Sequence, residues 1–380
     1  MPPQARHLTR ACIHLDRLDH NLQLLQELAG ERPLWPAIKA NAYGHGLGII
    51  ARHLVSRGYD TLCVAHVSEA LELLEADVPA RLLLLSATLP EHSEAIVACG
   101  CEPVVCTLEM VAALARAAER AGSGTQVEVQ LMVDTGMGRI GIRPQEVSGF
   151  LERCRAYATV RVRGLMSHFP CADEADKTLS RAGMEQFRGV IDDGRACGIE
   201  VCHMANSAAI FDLPDAGFDA VRPGIAIYGL RPSPAIVNPR VAELRPVLEW
   251  MTRVTFLKEV PAGMGLSYGH RYHTQRASLI ATLPVGYGDG LSRSLTNNLE
   301  VLVHGVRCPQ VGCITMDQSL VDVTALRGRV AHGDEVVLIG RQGAEEVTAD
   351  ELAERLGTIN YEIVTRIAQR VPRVVAGTDS

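Results

Sequence analysis

Lysine is scarce in this sequence. Of the 37 basic residues only three are lysines, Lys39, Lys177 and Lys258, and the rest are arginines. Arginine stays protonated and forms no Schiff base, so a cofactor held covalently by a lysine has three possible attachment points. The search for such a site is therefore short.

Long apolar runs and an excess of positive charge are also missing. The run Leu82–Leu85 is far shorter than the roughly 20 residues that span a bilayer, and no apolar signal region follows Met1–Arg10. With a net charge of -7, the chain lacks the basic surface that nucleic-acid phosphates require. We therefore expect a cytoplasmic protein that acts on a small molecule, with neither membrane nor nucleic acid as a partner.

The eleven cysteines form no disulfide or metal pattern. Their odd number and scatter are typical of reduced intracellular thiols. Cys99, Cys101 and Cys106 cluster, but no histidines stand at zinc spacing, so we expect no metal. We interpret Cys171 and Cys313, which lie near motifs described below, as small fillers.

A chain of 380 residues with 47% apolar residues predicts about two domains. Between residues 34 and 222, short apolar runs alternate with helical periodicity, for example in Val67–Asp77 and Leu108–Ala121, which is typical of βαβ units. This pattern favours a (β/α)8 barrel over residues 1–235, with a doubly wound sheet as the alternative. The eight predicted strands are Leu34–Ile38, Thr61–Ala65, Arg81–Ser86, Glu102–Cys106, Val127–Val133, Arg161–Met166, Ile199–His203 and Phe218–Arg222.

After the proline-rich stretch Arg231–Pro239, strand-like alternation with frequent glycine predicts a mainly antiparallel β domain over residues 236–380. One helix, Ala349–Leu356, should begin after Thr348 as its N-cap. The predicted strands are Val254–Val260, Ser278–Leu283, Leu299–Val303, Ser319–Val323 and Glu335–Ile339.

Polar residues follow five of the predicted barrel strands. Active sites of (β/α)8 enzymes lie at the carboxyl ends of the strands, so these residues form a candidate site even though each alone is unremarkable. They are Lys39, Arg139, His168, Asn206, Ser207 and Arg222.

Nine motifs, in order and over nearly the whole chain, resemble those of the alanine racemase family. They are Trp35–Gly46, Asp134–Gly141, Met166–Phe169, Met204–Ser207, Val221–Ile225, Ser267–Gly269, Gly286–Gly290, Ile314–Gln318 and Ile359–Glu362. The resemblance implies a barrel that carries pyridoxal 5'-phosphate, a C-terminal β domain, and a homodimer with shared active sites that interconverts L- and D-alanine.

The resemblance also implies individual roles. Lys39 would hold the cofactor as an imine, Arg222 would face its pyridine nitrogen, and His168 and Asn206 would lie in the cofactor site. Arg139 and Met316 would contact the substrate carboxylate. The phosphate would be held by Tyr43, Ser207, Gly224, Ile225 and Tyr361, and the entrance and surroundings would include Tyr287, Asp317, Asp173 and Arg293.

Racemisation needs an acid/base group on each face of a planar carbanion. The resemblance makes Lys39 one of these groups and Tyr268 of the partner subunit the other. An ordinary tyrosine has a pKa of about 10, so a base near neutrality needs positive charge or donors nearby, which we expect from His168 and the cationic cofactor site. Arg222 would donate to the ring nitrogen and weaken electron withdrawal, which would limit transamination.

One position departs from the family pattern. Many members carry a modified lysine two residues before the aspartate of the Asp134 motif, and this chain has Met132 there. A thioether bears no charge, so another side chain or a bound anion would have to orient Arg139. Cys313 likewise stands where arginine is common at the site entrance, which would alter access.

Three other functions are open. A racemase of broader specificity would act on serine or similar amino acids. A decarboxylase of the same architecture would need a glycine-rich phosphate loop and a cysteine-bearing motif, which we do not find. A non-catalytic cofactor-binding protein would be a single barrel without the C-terminal domain that contains Tyr268 and Met316.

Overall fold

The computed structural model describes residues 7–377, which divide into two compact units. The barrel unit comprises Leu18–Ala42 and Gly46–Arg245. The β unit comprises the stretch that ends at Arg17, then Tyr43–His45, and the chain from Pro246 onward. This division lies ten residues beyond the expected boundary at 235, and it assigns the first strand of the chain to the β unit.

The barrel unit contains a six-stranded parallel sheet whose strands follow one another in chain order. Isolated parallel bridges between His203 and Ala220, Leu34 and Val221, and Ala37 and Cys63 connect the two edges of this sheet. The predicted (β/α)8 barrel is confirmed, and the doubly wound sheet is excluded. The strands are Thr61–Val64, Arg81–Leu84, Glu102–Val105, Val127–Met132, Val160–Met166 and Val201–His203.

The prediction of continuous strands was wrong for two of the eight runs. The runs Leu34–Ile38 and Phe218–Arg222 contribute only the single bridges named above. Pro36 interrupts the first run and Pro223 follows the second, and proline has no N–H to donate to a ladder. The sequence thus contains the reason why these two runs form bridges only.

The barrel helices bury one apolar face each. In Leu108–Ala121, Thr107 caps the first turn, with its Oγ1 accepting the Met110 N–H at 3.2 Å, while Val111 and Leu114 are fully buried. Helix Val67–Glu75 ends two residues earlier than predicted, and Asp77 has a φ of 51°. The α-helices are Leu15–Ala29, most of which lies in the barrel unit, then Leu47–Ser56, Val67–Glu75, Ser93–Cys99, Leu108–Ala121, Val147–Cys154, Thr178–Ala196 and Ser207–Asp212.

The β unit is mainly antiparallel, as predicted. Its largest sheet includes Arg10–Ile13, which pairs antiparallel with Leu248–Arg253 and parallel with Arg373–Val375. The other strands are Phe256–Val260, Gly265–Leu266, Tyr272–His273, Ser278–Leu283, Glu300–Val303, Val306–Pro309, Ser319–Asp322, Glu335–Gln342 and Glu345–Val347, and the α-helices are Ala349–Leu356 and Asn360–Thr365. Thr348 is confirmed as an N-cap, since its Oγ1 accepts the Glu351 N–H at 3.0 Å.

A compact apolar cluster of the β unit contains Val260, Leu266, Ile280 and Val311. Among residues 7–377 no helix is long and apolar enough to cross a membrane. All eleven cysteines are free thiols.

Candidate active site

Lys39 begins an unusual turn at the end of the first barrel segment. The next four residues, Ala40 to Tyr43, all have φ between 51° and 54°, the left-handed region that residues other than glycine seldom adopt. Glu69 supports the start of this turn, with Oε1 accepting the Ala40 N–H at 2.6 Å and Oε2 accepting the Ala65 N–H at 2.7 Å. The carboxylate therefore connects the ends of the first two barrel segments.

The electrostatic surroundings of Lys39 favour a reactive amine. Burial lowers the pKa of the half-buried Lys39, and the positive charge of Arg139 lowers it further, while Glu69 acts in the opposite direction. An amine with a lowered pKa is neutral more often and is a better nucleophile.

Neither of the other lysines shares this position. Lys177 forms an ion pair with Asp212 at 3.1 Å and donates to the Ala172 carbonyl at 2.7 Å. Lys258 lies on Phe256–Val260, an edge strand of a three-stranded sheet in the β unit. Lys39 is thus the lysine at the end of the barrel where the predicted polar residues lie.

Arg222 is buried, and its Nη atoms are occupied. One donates to Nδ1 of His203, and the other donates to the carbonyls of Ser167 at 2.7 Å and Met204 at 3.3 Å. Burial lowers the pKa of Arg222 to about 10, so the group remains a cation at neutral pH. Within the described part of the chain its Nε–H has no partner, which leaves one fixed donor free for a ligand.

His168 is neutral at pH 7, so of the positive charge or hydrogen-bond donors expected near a tyrosine base it could supply a donor only. Burial and the nearby charges of Arg222, Arg139 and Lys39 lower its pKa to about 3. Three cations around one imidazole make a fourth positive charge unfavourable. At neutral pH the imidazole therefore offers one donor and one acceptor nitrogen and no charge.

The residues expected around the phosphate are placed in both units. In the barrel unit, the buried Ser207 hydroxyl accepts the N–H groups of Gly224 at 2.8 Å and Ala226 at 3.3 Å, and Ile225 begins a short 3-10 helix. Asn206 caps the helix Ser207–Asp212, with its Oδ1 accepting the Ala209 N–H at 3.0 Å. In the β unit, the rings of Tyr43 and Tyr361 lie 6.2 Å apart.

Arg139 is exposed and makes no hydrogen bond or ion pair with any residue between 7 and 377. The turn that carries it is fixed instead by Asp134, whose Oδ1 accepts the N–H groups of Gly136 and Gly138, each at 3.0 Å. In the described structure this turn, fixed by the Asp134 carboxylate, places the arginine, and no side chain bonds to its guanidinium.

Met132 occupies an apolar environment. It is 3% exposed and packs in a cluster with Val104 and Met166, against which Leu85 and Ile140 are also placed. The thioether therefore fills a hydrophobic space.

In the β unit, three loops are connected into one surface. The Ser267 hydroxyl donates to the Cys313 carbonyl at 2.7 Å, next to Tyr268. Tyr287 N–H in turn donates to the Thr315 carbonyl at 3.0 Å, next to Met316. The aromatic and thioether side chains on these loops are exposed: Tyr268 by 74%, Met316 by 53% and Tyr287 by 43%.

Of the other residues expected around the site entrance, Asp173, Arg293 and Asp317 are exposed and Cys313 is buried. Asp317 pairs with Arg370 at 2.8 Å, and Arg293 and Asp173 lie on the surfaces of the β unit and the barrel unit, respectively. Cys313 is 2% exposed, and whether a cysteine at this position alters access to the site stays a prediction. Its interpretation as a small filler agrees with this burial.

Sequence reasoning missed Glu69 and a buried polar chain of Glu102, Gln130 and His203. Gln130 and His203 are fully buried within barrel strands. A polar residue inside an apolar strand must find a partner, and that signal was present in the sequence.

Known proteins resemble the chain over its whole length. The family model described as alanine racemase, N-terminal domain, matches residues 13–232, and that for the C-terminal domain matches residues 247–375. The alanine racemase of Halothermothrix orenii is 43% identical over 368 residues, 96% of each chain.

Solved structures of alanine racemases are also similar to this chain in fold. Alanine racemase of Clostridium difficile 630 has a TM-score of 0.93 and 35% identity, over 98% of this chain and 96% of its own. Alanine racemase of Bacillus anthracis with bound L-Ala-P has a TM-score of 0.91 and 35% identity, over 100% of this chain and 97% of its own.

Proposed function

The chain belongs to the alanine racemase family of isomerases, and on this premise we propose that it interconverts L- and D-alanine with pyridoxal 5'-phosphate held on Lys39. The observation that carries the proposal is the position of Lys39, a half-buried amine of lowered pKa in the same unit as Arg139, His168 and Arg222. These groups are the ones expected to surround an anionic amino-acid complex.

The donor set of the barrel unit fits the cofactor. Lys39 offers the amine for an imine, and the unpartnered Nε–H of Arg222 offers a donor to a pyridine nitrogen. The Ser207 hydroxyl, whose oxygen accepts the Gly224 N–H, keeps its own hydrogen as a neutral donor to a phosphate. Pyridoxal phosphate, when bound, supplies the electron-withdrawing imine that makes the Cα proton of an amino acid removable.

Two residues of the chain move the Cα proton in this proposal. The Lys39 amine serves the face of D-alanine and the Tyr268 hydroxyl serves the face of L-alanine. His168, being neutral, contributes a hydrogen bond but no charge, so the positive charge that a tyrosine base requires comes from Arg139 and Arg222.

A homodimer with shared sites is part of the proposal. Tyr268 has a side chain that is 74% exposed, whereas an acid/base group near a carbanion must be shielded from bulk water. Exposed Met316 and Tyr287 lie on loops connected to the one that carries Tyr268. A second chain over this surface would exclude water from Tyr268 and bring it to the partner's Lys39.

The proposed substrate is alanine, contacted at its carboxylate by Arg139 and Met316. The relatives are named alanine racemase, and we carry alanine over to the present chain as the substrate. A cytoplasmic location remains a prediction, and serine is the alternative substrate.

Chiral analysis of the products formed from L-alanine, L-serine and other small L-amino acids tests the proposal. We expect D-alanine as the fastest product, with no activity in a Lys39→Ala variant and unchanged activity in Lys258→Ala. Faster racemisation of serine would replace the substrate assignment, and cofactor binding without any racemisation would support the non-catalytic alternative.

A further inference from the structure

A continuous chain of buried polar groups runs through the barrel unit behind Arg222. His203 Nε2 lies 3.0 Å from Gln130 Oε1, and Gln130 Nε2 lies 2.5 Å from Glu102 Oε1. Glu102 in turn accepts from Arg81 Nε at 2.7 Å. Gln130 and His203 have no exposed surface, while Glu102 and Arg222 are 3% and 4% exposed.

The donor and acceptor at each step are determined from both ends. A guanidinium only donates, so Nδ1 of His203 must accept from Arg222, and the imidazole must be neutral with its proton on Nε2. A carboxylate only accepts, so Glu102 requires the NH2 group of Gln130, which turns the amide oxygen toward His203. The two arguments start from opposite ends and give the same arrangement.

We infer that Gln130 is a positioning residue for Arg222, because its oriented amide holds His203 as the neutral Nε2–H tautomer with Nδ1 facing the guanidinium. The inference rests on the proposed function only in assigning Arg222 to the cofactor ring nitrogen. The hydrogen-bond direction itself is a property of the protein.

The neighbouring backbone is adapted to this amide. Gln130 is paired with Gly164 across the two adjacent strands, at a register irregularity after Val129. A Cβ atom at position 164 would overlap the Gln130 side-chain amide. Glycine at this position therefore leaves the space that the amide occupies between Glu102 and His203.

Packing restricts the His203 ring from the side as well. The Trp35 ring meets it edge to face, with centroids 4.7 Å apart and planes at 68°. With Trp35 beside the ring, Gln130 at Nε2 and Arg222 at Nδ1, the imidazole has one orientation that satisfies both nitrogens.

The test uses the holoenzyme with 15N-labelled histidine rings, whose nitrogen shifts distinguish the two neutral tautomers and the cation. The His203 signals are identified as those absent from a His203→Gln variant. We expect the Nε2–H tautomer at neutral pH. Either the Nδ1–H tautomer or an imidazolium would overturn the inference whether or not the proposed function holds.

Two variants test positioning. Gln130→Met removes the amide at similar length, and Gly164→Ala displaces it while keeping every polar group. For both we expect a changed His203 signal, a shifted absorption band of bound pyridoxal phosphate, and kcat lowered on the order of 10-fold with KM for alanine little changed.

Leu131→Ala is the control, because Leu131 is fully buried on the same strand and its truncation destabilises the barrel without touching the polar chain. We expect it to lower thermal stability but to leave the absorption band in place. The inference fails if Gln130→Met leaves both the His203 signals and the band unchanged, or if Leu131→Ala shifts the band equally. Failure of the proposed function would appear separately, as wild-type protein that binds no cofactor on Lys39.

Discussion

Glu69 holds the backbone N–H of Ala40 at 2.6 Å, one residue after Lys39. Positive φ values at residues other than glycine cost about 1 kcal/mol or more each, so the left-handed turn that follows Lys39 needs such external support. Glu69 supplies it from a neighbouring barrel segment.

Replacing Glu69 by alanine should therefore loosen the attachment site. We expect pyridoxal phosphate affinity to fall about 10-fold, equivalent to the loss of one charge-assisted hydrogen bond of about 1.4 kcal/mol. The Lys39 pKa should also fall further, because Glu69 raises it. Glu72→Ala, an exposed change on the same helix, is the control. Equal affinities of the two variants, measured by spectroscopic titration, would count against this role.

Borohydride reduction of the protein with bound cofactor should label Lys39. Its lowered pKa favours imine formation, whereas Lys177 is held by Asp212. Peptide mapping after reduction identifies the labelled residue. A label on Lys177 or Lys258 would overturn the attachment site.

Sharing of active sites between subunits can be tested by complementation. Lys39→Ala and Tyr268→Phe protomers should each be inactive, since removing a positioned acid/base group costs roughly 10²- to 10⁴-fold. A mixed dimer should regain activity, because one of its two sites would contain both intact residues. No recovery despite subunit exchange, verified by mass spectrometry of the dimers, would argue against sites shared in trans.

Acid should destabilise the folded chain through His203. Burial and the charge of Arg222 hold the pKa of His203 well below its usual range. In the unfolded chain a histidine has a pKa of about 6.5, so below that pH the unfolded state binds a proton that the folded state does not, and stability falls as the pH falls. We expect this group to contribute up to about 1.4 kcal/mol per pH unit, with the full slope reached about one unit below the pKa of the unfolded histidine. Urea denaturation between pH 5 and 7 should show a smaller slope in His203→Gln, and an unchanged slope would contradict the assignment.

Met132→Lys should destabilise the barrel. An ammonium placed among Val104 and Met166 would have its pKa lowered by about 3 units, which costs about 4 kcal/mol. Met132→Leu should cost less than about 1.5 kcal/mol because it conserves volume and polarity. Urea denaturation measures both changes. A stable Met132→Lys variant would mean that a polar partner reaches this cluster.

Most of the fold could be predicted from the sequence because the spacing of apolar residues reflects which positions of a strand or helix are buried. Six barrel strands and the helix Leu108–Ala121 were found nearly at their observed bounds. The two predicted strands that do not form are apolar runs, of which Pro36 interrupts one and Pro223 follows the other. The prediction relied on their apolar character and overlooked that proline has no N–H to donate to a strand ladder.

The candidate site was only partly predictable. Position at strand ends identified Lys39 and Arg139, because their role depends on where the chain turns. The neutral state of His168 could not be read from its own motif, since it depends on Arg139, Arg222 and Lys39, which are distant in sequence. Gln130 escaped notice because its partner Glu102 is found only when strands are in register.

The strand Arg10–Ile13 lies between Leu248–Arg253 and Arg373–Val375 in its sheet, yet it precedes both by the entire barrel unit. During synthesis this strand leaves the ribosome long before either partner exists. The edges of this strand stay unpaired until the barrel unit has been translated. Pairing across so long a loop carries an entropic cost, which makes it slow. The sheet is therefore completed late in co-translational folding. Until then the unpaired strand Arg10–Ile13 is the segment at which a chaperone or aggregation would compete with correct pairing.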